Sequence, residues 1–214
     1  MDAAAAVKPK LRGVFHEVGF YAALGLGVAL VVTAKPGARP SASVFAACVA
    51  CCFGISALYH RPTWEPRVRA RLARLDHAGA YLLIAGTYTP FALLVMSRGW
   101  AVPILAVVWT GTVAAIVLKA LWEDMPKWAS AGVGIGLGWV GAAAFSQLVK
   151  LPAVGLALVV LGGVLYTTGA IVYARRWPDP VPHVFGYHEV FHVLTLAAAG
   201  CQYAAIALYV LPRA

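Results

Sequence analysis

Charged residues are scarce in this chain. Asp, Glu, Lys and Arg make up 12% of its 214 residues, only eight residues are acidic, and 62% are hydrophobic. With a mean hydropathy of +0.80, a soluble domain of this length would expose too much hydrocarbon to water. The shortage of charge therefore excludes a soluble globular protein and predicts a protein embedded in lipid.

The few cysteines lack the arrangement of a disulfide framework or a metal motif. Cys48, Cys51 and Cys52 lie in one hydrophobic stretch and Cys201 in another. Adjacent cysteines do not have the spacing of a redox or zinc motif, and a structural disulfide needs paired cysteines at an oxidising surface. We therefore expect four free thiols buried in the membrane.

The net charge of +9 does not indicate a nucleic-acid-binding protein. The basic residues stand in short loops beside hydrophobic stretches, with no aromatic stacking platform and no separate basic domain. Anionic lipid headgroups are the expected partners instead. The densest run, 61–74, contains five arginines and favours either a topology determinant or a helix lying along the membrane surface.

Long hydrophobic stretches are what the sequence does contain. A transmembrane helix needs about 20 mostly apolar residues. Seven stretches qualify, namely 16–33, 43–60, 76–96, 100–121, 130–149, 152–173 and 187–211. The prediction is an all-α membrane protein, a seven-transmembrane-helix bundle with a short cytoplasmic N-terminal segment, 1–15, and a single transmembrane domain, 16–214. No convincing cleavage site follows the first stretch, so we expect it to be a retained helix.

The distribution of Lys and Arg predicts the orientation of the bundle. Cytoplasmic loops of membrane proteins are enriched in these residues. Twelve of them fall on the side of the N-terminus and five on the opposite side. We therefore expect a multi-pass protein of the cell (plasma or inner) membrane, with the N-terminus in the cytoplasm and the C-terminus outside.

One glycine-rich run matches a nucleotide-binding motif without the structural context that the motif requires. The letters GLGWVG at 136–141 match the dinucleotide-binding fingerprint, but that fingerprint requires a strand, a tight turn and a helix N-terminus. Here the run lies within a hydrophobic stretch. The small-xxx-small spacings among Gly132, Gly134, Gly136 and Gly138 instead predict that neighbouring helices approach closely at this point.

Histidines at the ends of two predicted helices have the pattern of a metal site. His188 and His192 stand four residues apart, so their β-carbons lie about 6 Å apart on one helical face. Because the helices alternate in direction, His60 at the end of the second stretch reaches the same membrane depth. Three neutral imidazoles and a water form a tetrahedral zinc site with an exchangeable position. The sequence thus predicts Zn²⁺ on these histidines; the alternative for the His188/His192 pair is interfacial hydrogen bonding without metal.

Two further polar residues are candidate catalytic groups. Asp76 lies at the start of the third stretch, and Ser56 lies one turn before His60 on the same helical face. Asp76 would hydrogen-bond the zinc-bound water and act as general base, while Ser56 would orient Asp76 or the substrate. The alternative for Asp76 is an ion pair with a nearby arginine at the interface.

Five motifs, in order along nearly the whole chain, resemble the hemolysin III family. They are KLRGVFH at 10–16, SALYH at 56–60, LDH at 75–77, AGTYTPF at 85–91 and GYHEVFH at 186–192. That family belongs with the progestin and adipoQ receptors and, more broadly, with the alkaline ceramidases. The resemblance implies seven helices, a cytoplasmic N-terminus and a zinc site near the cytoplasmic leaflet.

The same resemblance implies roles for individual residues. It makes His60, His188 and His192 the zinc ligands, places Asp76 beside the zinc-bound water and adds Ser56 to the polar set. Relatives in the wider superfamily hydrolyse lipid amides, and the bacterial branch is named for a cytolytic effect and linked to membrane homeostasis. We therefore expect a zinc-dependent hydrolase of a membrane lipid, acting on an amide or ester. No role is assigned to His16, His77 or Glu189.

Two other functions stay open at this stage. HEVFH is a literal HExxH, the pattern of metalloproteases in which Glu189 would be the base and Asp76 the third ligand. No acidic or histidine residue follows the motif to supply a third ligand from downstream, which disfavours an intramembrane protease. A receptor or pore-forming cytolysin could instead use zinc only to join helices, and a structural zinc site usually has a fourth protein ligand. The chain also lacks the long N-terminal extension of animal adiponectin receptors, which disfavours ligand-receptor signalling.

Overall fold

A computed structural model describes residues 8–122 and 124–214. Within these residues the chain forms seven helices that are long and apolar enough to cross a membrane, and no strand is present among them. We label them α1 Val14–Thr33, α2 Arg39–His60, α3 Pro66–Val95, α4 Arg98–Leu121, α5 Lys127–Leu148, α6 Ala153–Arg175 and α7 Tyr187–Arg213. The predicted all-α seven-helix membrane fold is confirmed, whereas its orientation stays a prediction.

Two of the seven helices change their winding part-way. In α5 a 3₁₀ segment, Val140–Ala144, separates the α-helical parts Lys127–Gly138 and Phe145–Leu148. In α7 the α-helix ends at Ala205 and continues as a π-helical turn, Ile206–Val210, and a short 3₁₀ turn. These changes leave the α-helical start of each helix, where the polar residues lie, regular.

The third helix begins ten residues before the predicted stretch. It starts at Pro66, which suits the first turn of a helix because it lacks an N–H. Four arginines of the basic run lie in its first turns, interleaved with the helix formers Ala and Leu. The run is therefore not a separate helix, since it continues directly into α3, and its position relative to the membrane surface stays a prediction. A hydropathy window finds only the apolar part of such a helix.

Helices adjacent in the chain are also neighbours in space. The last helix packs mainly on α6 and also contacts α1, which closes the bundle, while α3 contacts α2, α4, α5 and the far end of α7. Large apolar side chains cover the outside, and on α1 Val18, Val28 and Val32 are each about two-thirds exposed. An outer surface of this kind is expected of a protein surrounded by lipid.

The main apolar core fills the half of the bundle away from the histidines. It is formed by side chains such as Leu30, Phe45, Leu151 and Val210. A second cluster joins α3, α4 and α5 around Val108. The buried residues His16, His60, His188, Glu189 and His192 are gathered with Ser56 at the other end, which is therefore the more polar half.

Three glycines of α5 that the sequence marks for helix packing do not serve it. A β-carbon added at Gly132, Gly136 or Gly138 would meet nothing within 4 Å, so the predicted close approach at these residues is wrong. Close approach occurs instead between α2 and α3. There a β-carbon on Gly79 would lie 3.1 Å from the Cys52 α-carbon, and one on Gly86 would collide with the Cys48 side chain. Spacing alone did not indicate which small residues face a neighbouring helix.

Candidate metal centre and its cavity

Three histidines from two helices converge at one end of the bundle. His60 is the last residue of α2, and His188 and His192 lie in the first two turns of α7. One ligand nitrogen from each lies within 4.8 Å of the others, and the Nε2 atoms of His60 and His188 are 3.0 Å apart. All three residues are at most 8% exposed. The convergence expected from alternating helix directions is therefore present.

The donor set fits a zinc ion. Buried polar atoms in proteins nearly always have a partner, yet His192 Nδ1 is buried with none, and the His60 and His188 Nε2 atoms face each other. Three imidazole nitrogens within 4.8 Å of one another are a ligand set that zinc accepts. The residues can thus hold a metal ion, and its identity belongs to the proposal below.

The two candidate catalytic residues lie beside this cluster. The Asp76 carboxylate is 3.6 Å from His60 Nε2, within ion-pair distance of one of the three histidines. Ser56 lies in the same cavity wall with a buried hydroxyl that has no hydrogen-bond partner. Gly79 sits one turn after Asp76, and its close contact with α2 brings Asp76 and Ser56 to the same place.

Two histidines without a predicted role occupy different positions. His16 of α1 stacks on His192 with ring centres 3.7 Å apart and planes 7° apart, and both of its nitrogens are buried without a partner. His77 instead donates through Nδ1 to the Ala73 carbonyl oxygen at 2.7 Å. The sequence offered only one signal for His16, its place at the end of the motif KLRGVFH.

Glu189 is fully buried and both of its oxygens are engaged. One accepts a hydrogen bond from Arg12 Nε at 2.6 Å, and the other accepts one from the Gly186 backbone N–H at 2.9 Å. The second contact caps the start of α7. Glu189 therefore joins the N-terminal segment to the helix that carries two of the histidines, a contact across 177 residues that sequence spacing did not indicate.

Residues 8–13 form a strap across this end of the bundle, which we call the N-terminal strap. The backbone N–H groups of Lys10 and Leu11 donate to the carbonyl oxygens of His183 and Val184 at 3.0 and 3.1 Å. Lys8 Nζ donates to the Arg61 carbonyl oxygen at 2.8 Å. Partial burial, followed by the nearby arginines, lowers the pKa of Lys8. The strap thus ties the loop before α7 to the end of α2.

The N-terminal strap ends at Gly13, which lies against the end of α2. Gly13 has a φ of 81°, a left-handed conformation that favours glycine. A β-carbon at this position would lie 2.7 Å from the His60 β-carbon. Both facts require glycine where the strap passes the end of α2.

A cavity of about 490 Å³ opens beside the histidines and extends into the bundle. Its walls are mainly apolar, and residues at its inner part include Phe91, Met96, Leu156 and Gln202. Gln202 lies ten residues beyond His192, which corresponds to about 15 Å along a helix. Gly134 and Gly138 of α5 line the same cavity, which explains why a β-carbon there meets little. The volume is typical of a small-molecule site.

Comparison with known proteins now identifies the family. The family described as Haemolysin-III related matches residues 4–203. The chain belongs to the haemolysin-III-related family. Within it, the chain is 30% identical over 210 residues to Hemolysin-3 of Bacillus cereus, with 95% of this chain and 92% of that protein covered. It is also 30% identical over 155 residues to the Hemolysin-3 homolog of Bacillus subtilis (strain 168), covering 72% of this chain and 70% of that protein.

This haemolysin-III-related chain also resembles a receptor from an animal. It is 29% identical over 174 residues to the adiponectin receptor protein of Drosophila melanogaster, covering 71% of this chain but 38% of the receptor. The family and its relation to the adipoQ receptors, which the five motifs indicated, are therefore confirmed. With seven apolar helices, the chain is a multi-pass membrane protein.

Proposed function

We propose that this haemolysin-III-related protein is a zinc-dependent hydrolase that cleaves an amide or ester bond of a membrane lipid. The observation that carries the proposal is the position of three buried imidazoles and a carboxylate at the mouth of an apolar cavity inside the bundle. The apolar walls suit an acyl chain, and the polar end suits the bond to be cleaved. Such an activity would change lipid composition, which is the link to membrane homeostasis.

Each polar residue has a distinct task in this proposal. Zinc held by His60, His188 and His192 would supply a Lewis acid and an activated water. The Asp76 carboxylate would accept a proton from the attacking water and return it to the leaving group, which regenerates the carboxylate for the next turnover. The Ser56 hydroxyl donates a hydrogen bond to Asp76 or to the substrate. The cavity walls exclude bulk water from the acyl chain.

A structural metal is the second candidate, and one observation favours it. The Asp76 carboxylate lies 3.6 Å from His60 Nε2, close enough to become a fourth protein ligand after a small shift. A site with four protein ligands is the usual arrangement of structural zinc. The protein would then be a receptor or pore-forming cytolysin whose zinc joins α2 to α7.

The protease alternative has less support from the geometry. A metalloprotease with the HExxH motif needs its glutamate free to accept a proton from water. Both Glu189 oxygens already accept hydrogen bonds, from Arg12 and from the Gly186 N–H. This arrangement favours a structural task for Glu189.

Zinc stoichiometry tests the metal site. We expect one zinc per chain in the detergent-purified protein and loss of zinc in His60→Ala, His188→Ala and His192→Ala. His183→Ala, which changes an exposed histidine in the loop before α7, is the matched control and should keep its zinc. A folded wild-type protein that contains no zinc would remove the proposed hydrolase. If all three variants lose zinc, release of fatty acid from lipid amides and esters is the next measurement.

A further inference from the structure

Lys127 places a positive charge at the mouth of the cavity. It is the first residue of α5, is partly buried, and lines the same cavity as the histidines. Its ammonium group donates a hydrogen bond to the Tyr187 hydroxyl at 2.6 Å and lies 4.7 Å from the ring centres of Tyr173 and Tyr187. An ammonium group has three N–H donors, so the one hydrogen bond to Tyr187 leaves donors for a ligand.

No carboxylate of the described residues lies within ion-pair distance of Lys127. Ion pairs among the described residues near the cavity include Arg12 with Glu189, His60 with Asp76, and Arg61 with Glu17. Among the described residues at the cavity mouth, therefore, an acidic side chain balances the charge of Arg12 and none pairs with Lys127. A cation without a counter-ion beside an apolar cavity attracts an anion more strongly than one in water does.

The position of Lys127 relative to the histidines defines where that anion would lie. The Tyr173 ring touches both, with its centre 4.7 Å from the Lys127 ammonium and 5.9 Å from the centre of the His188 ring. The Tyr173 ring thus lies between the Lys127 ammonium group and the three histidines. In a lipid with its chain in the cavity and its carbonyl at the histidines, a headgroup a few bonds from that carbonyl would lie at Lys127.

We propose that Lys127 binds the anionic headgroup of the lipid, so that the substrate class is an acyl lipid with a carboxylate or phosphate a few bonds from the carbonyl. Tyr173 and Tyr187 hold the ammonium group in place for this contact. The inference rests on the proposed function for the cleavage step, but binding of the headgroup requires no turnover.

A matched pair of ligands tests this site. N-oleoylglycine and N-oleoylethanolamine have the same chain and the same amide and differ in the charge of the headgroup. Their dissociation constants would be measured by calorimetric titration of the zinc-loaded protein in a neutral detergent. We expect wild type to bind N-oleoylglycine about 10-fold more tightly, since a hydrogen bond to a charged group has about this effect.

Three variants show whether Lys127 causes that preference. Lys127→Gln should abolish it by weakening N-oleoylglycine alone, and Lys127→Arg should keep it. Lys119→Gln removes another basic residue from the same end of the bundle, in the last turn of α4 and outside the cavity, and should behave as wild type. Absence of a preference in wild type, or an equal loss for both ligands in Lys127→Gln, would overturn the proposal.

Two further measurements distinguish a lipid anion from a free anion, and the headgroup proposal from the hydrolase proposal. N-acetylglycine has the carboxylate but no chain, and we expect it to bind at least about 100-fold more weakly because the apolar contacts are missing. Equal affinity for N-acetylglycine would overturn a lipid ligand. A retained headgroup preference without any hydrolysis counts against the hydrolase alone, whereas hydrolysis without the preference counts against Lys127 alone.

Discussion

Two arginine–glutamate pairs of the same length show how burial decides the strength of an ion pair. Arg12–Glu189 and Arg61–Glu17 both have N–O distances of 2.6 Å, but the Glu189 side chain is 0% exposed and that of Glu17 is 39% exposed. Exposed pairs contribute at most about 1 kcal/mol. Removing one member of a buried pair leaves the other without a partner, which costs considerably more.

We therefore predict that Glu189→Ala lowers the free energy of unfolding by at least about 2 kcal/mol, because Arg12 and the Gly186 N–H both lose their acceptor. Glu17→Ala, the matched control, should change it by about 1 kcal/mol or less. Thermal unfolding in detergent measures both variants. Equal midpoints for the two variants would contradict a structural role for Glu189.

Asp76 distinguishes the hydrolase from a structural metal protein. Asp76→Asn keeps the shape of the side chain but removes the base, so we predict unchanged zinc content and a loss of turnover of at least about 100-fold. Asp124→Asn changes an exposed acid in the loop before α5 and serves as the control. Zinc content and fatty-acid release are measured on the same preparations. Loss of zinc from Asp76→Asn would make Asp76 a ligand and favour the structural alternative.

At the scale of elements, the site depends on how the N-terminal strap meets the end of α2. Gly13 combines a left-handed backbone with a close approach to His60. We predict that Gly13→Ala weakens zinc binding, because the new methyl group must displace the His60 β-carbon. Gly25→Ala in α1 meets nothing within 4 Å and is the control. The zinc dissociation constant, measured by chelator competition, should rise in the first variant only.

The same reasoning separates packing glycines from cavity glycines. A β-carbon on Gly86 collides with Cys48 across the α2–α3 contact, whereas one on Gly136 meets open space. We predict that Gly86→Ala lowers the unfolding midpoint and that Gly136→Ala leaves it nearly unchanged. A larger effect at Gly136 would show that α5 packs more tightly than this structure indicates.

At the scale of the whole molecule, the charge distribution predicts which end faces the cytoplasm. The histidine end carries most of the basic residues, so we expect it inside. A cysteine introduced by His183→Cys should resist a membrane-impermeant thiol reagent added to intact cells, and one introduced by Pro152→Cys between α5 and α6 should react. The opposite labelling pattern would reverse the orientation and place the site outside.

Much of this architecture could be predicted because it is encoded by local patterns. Apolar length indicated all seven helices, and the alternation of their directions brought His60 to the depth of His188 and His192. The bounds of α3 could not be predicted, since hydropathy does not detect a helix that continues into an arginine-rich segment. The Arg12–Glu189 pair, the His16 stack and the cavity depend on contacts between distant residues, which no local pattern in a single sequence specifies.

The cavity has a consequence for how any activity of this protein must be measured. A lipid chain held between the helices comes from the surrounding bilayer, not from water. The quantity that saturates such a site is the fraction of lipid molecules that are substrate, so adding detergent or inert lipid lowers the rate even when the bulk amount of substrate is constant. Assays with vesicles of fixed composition and varied total amount would therefore give a flat response, and titration of the mole fraction would give a saturation curve.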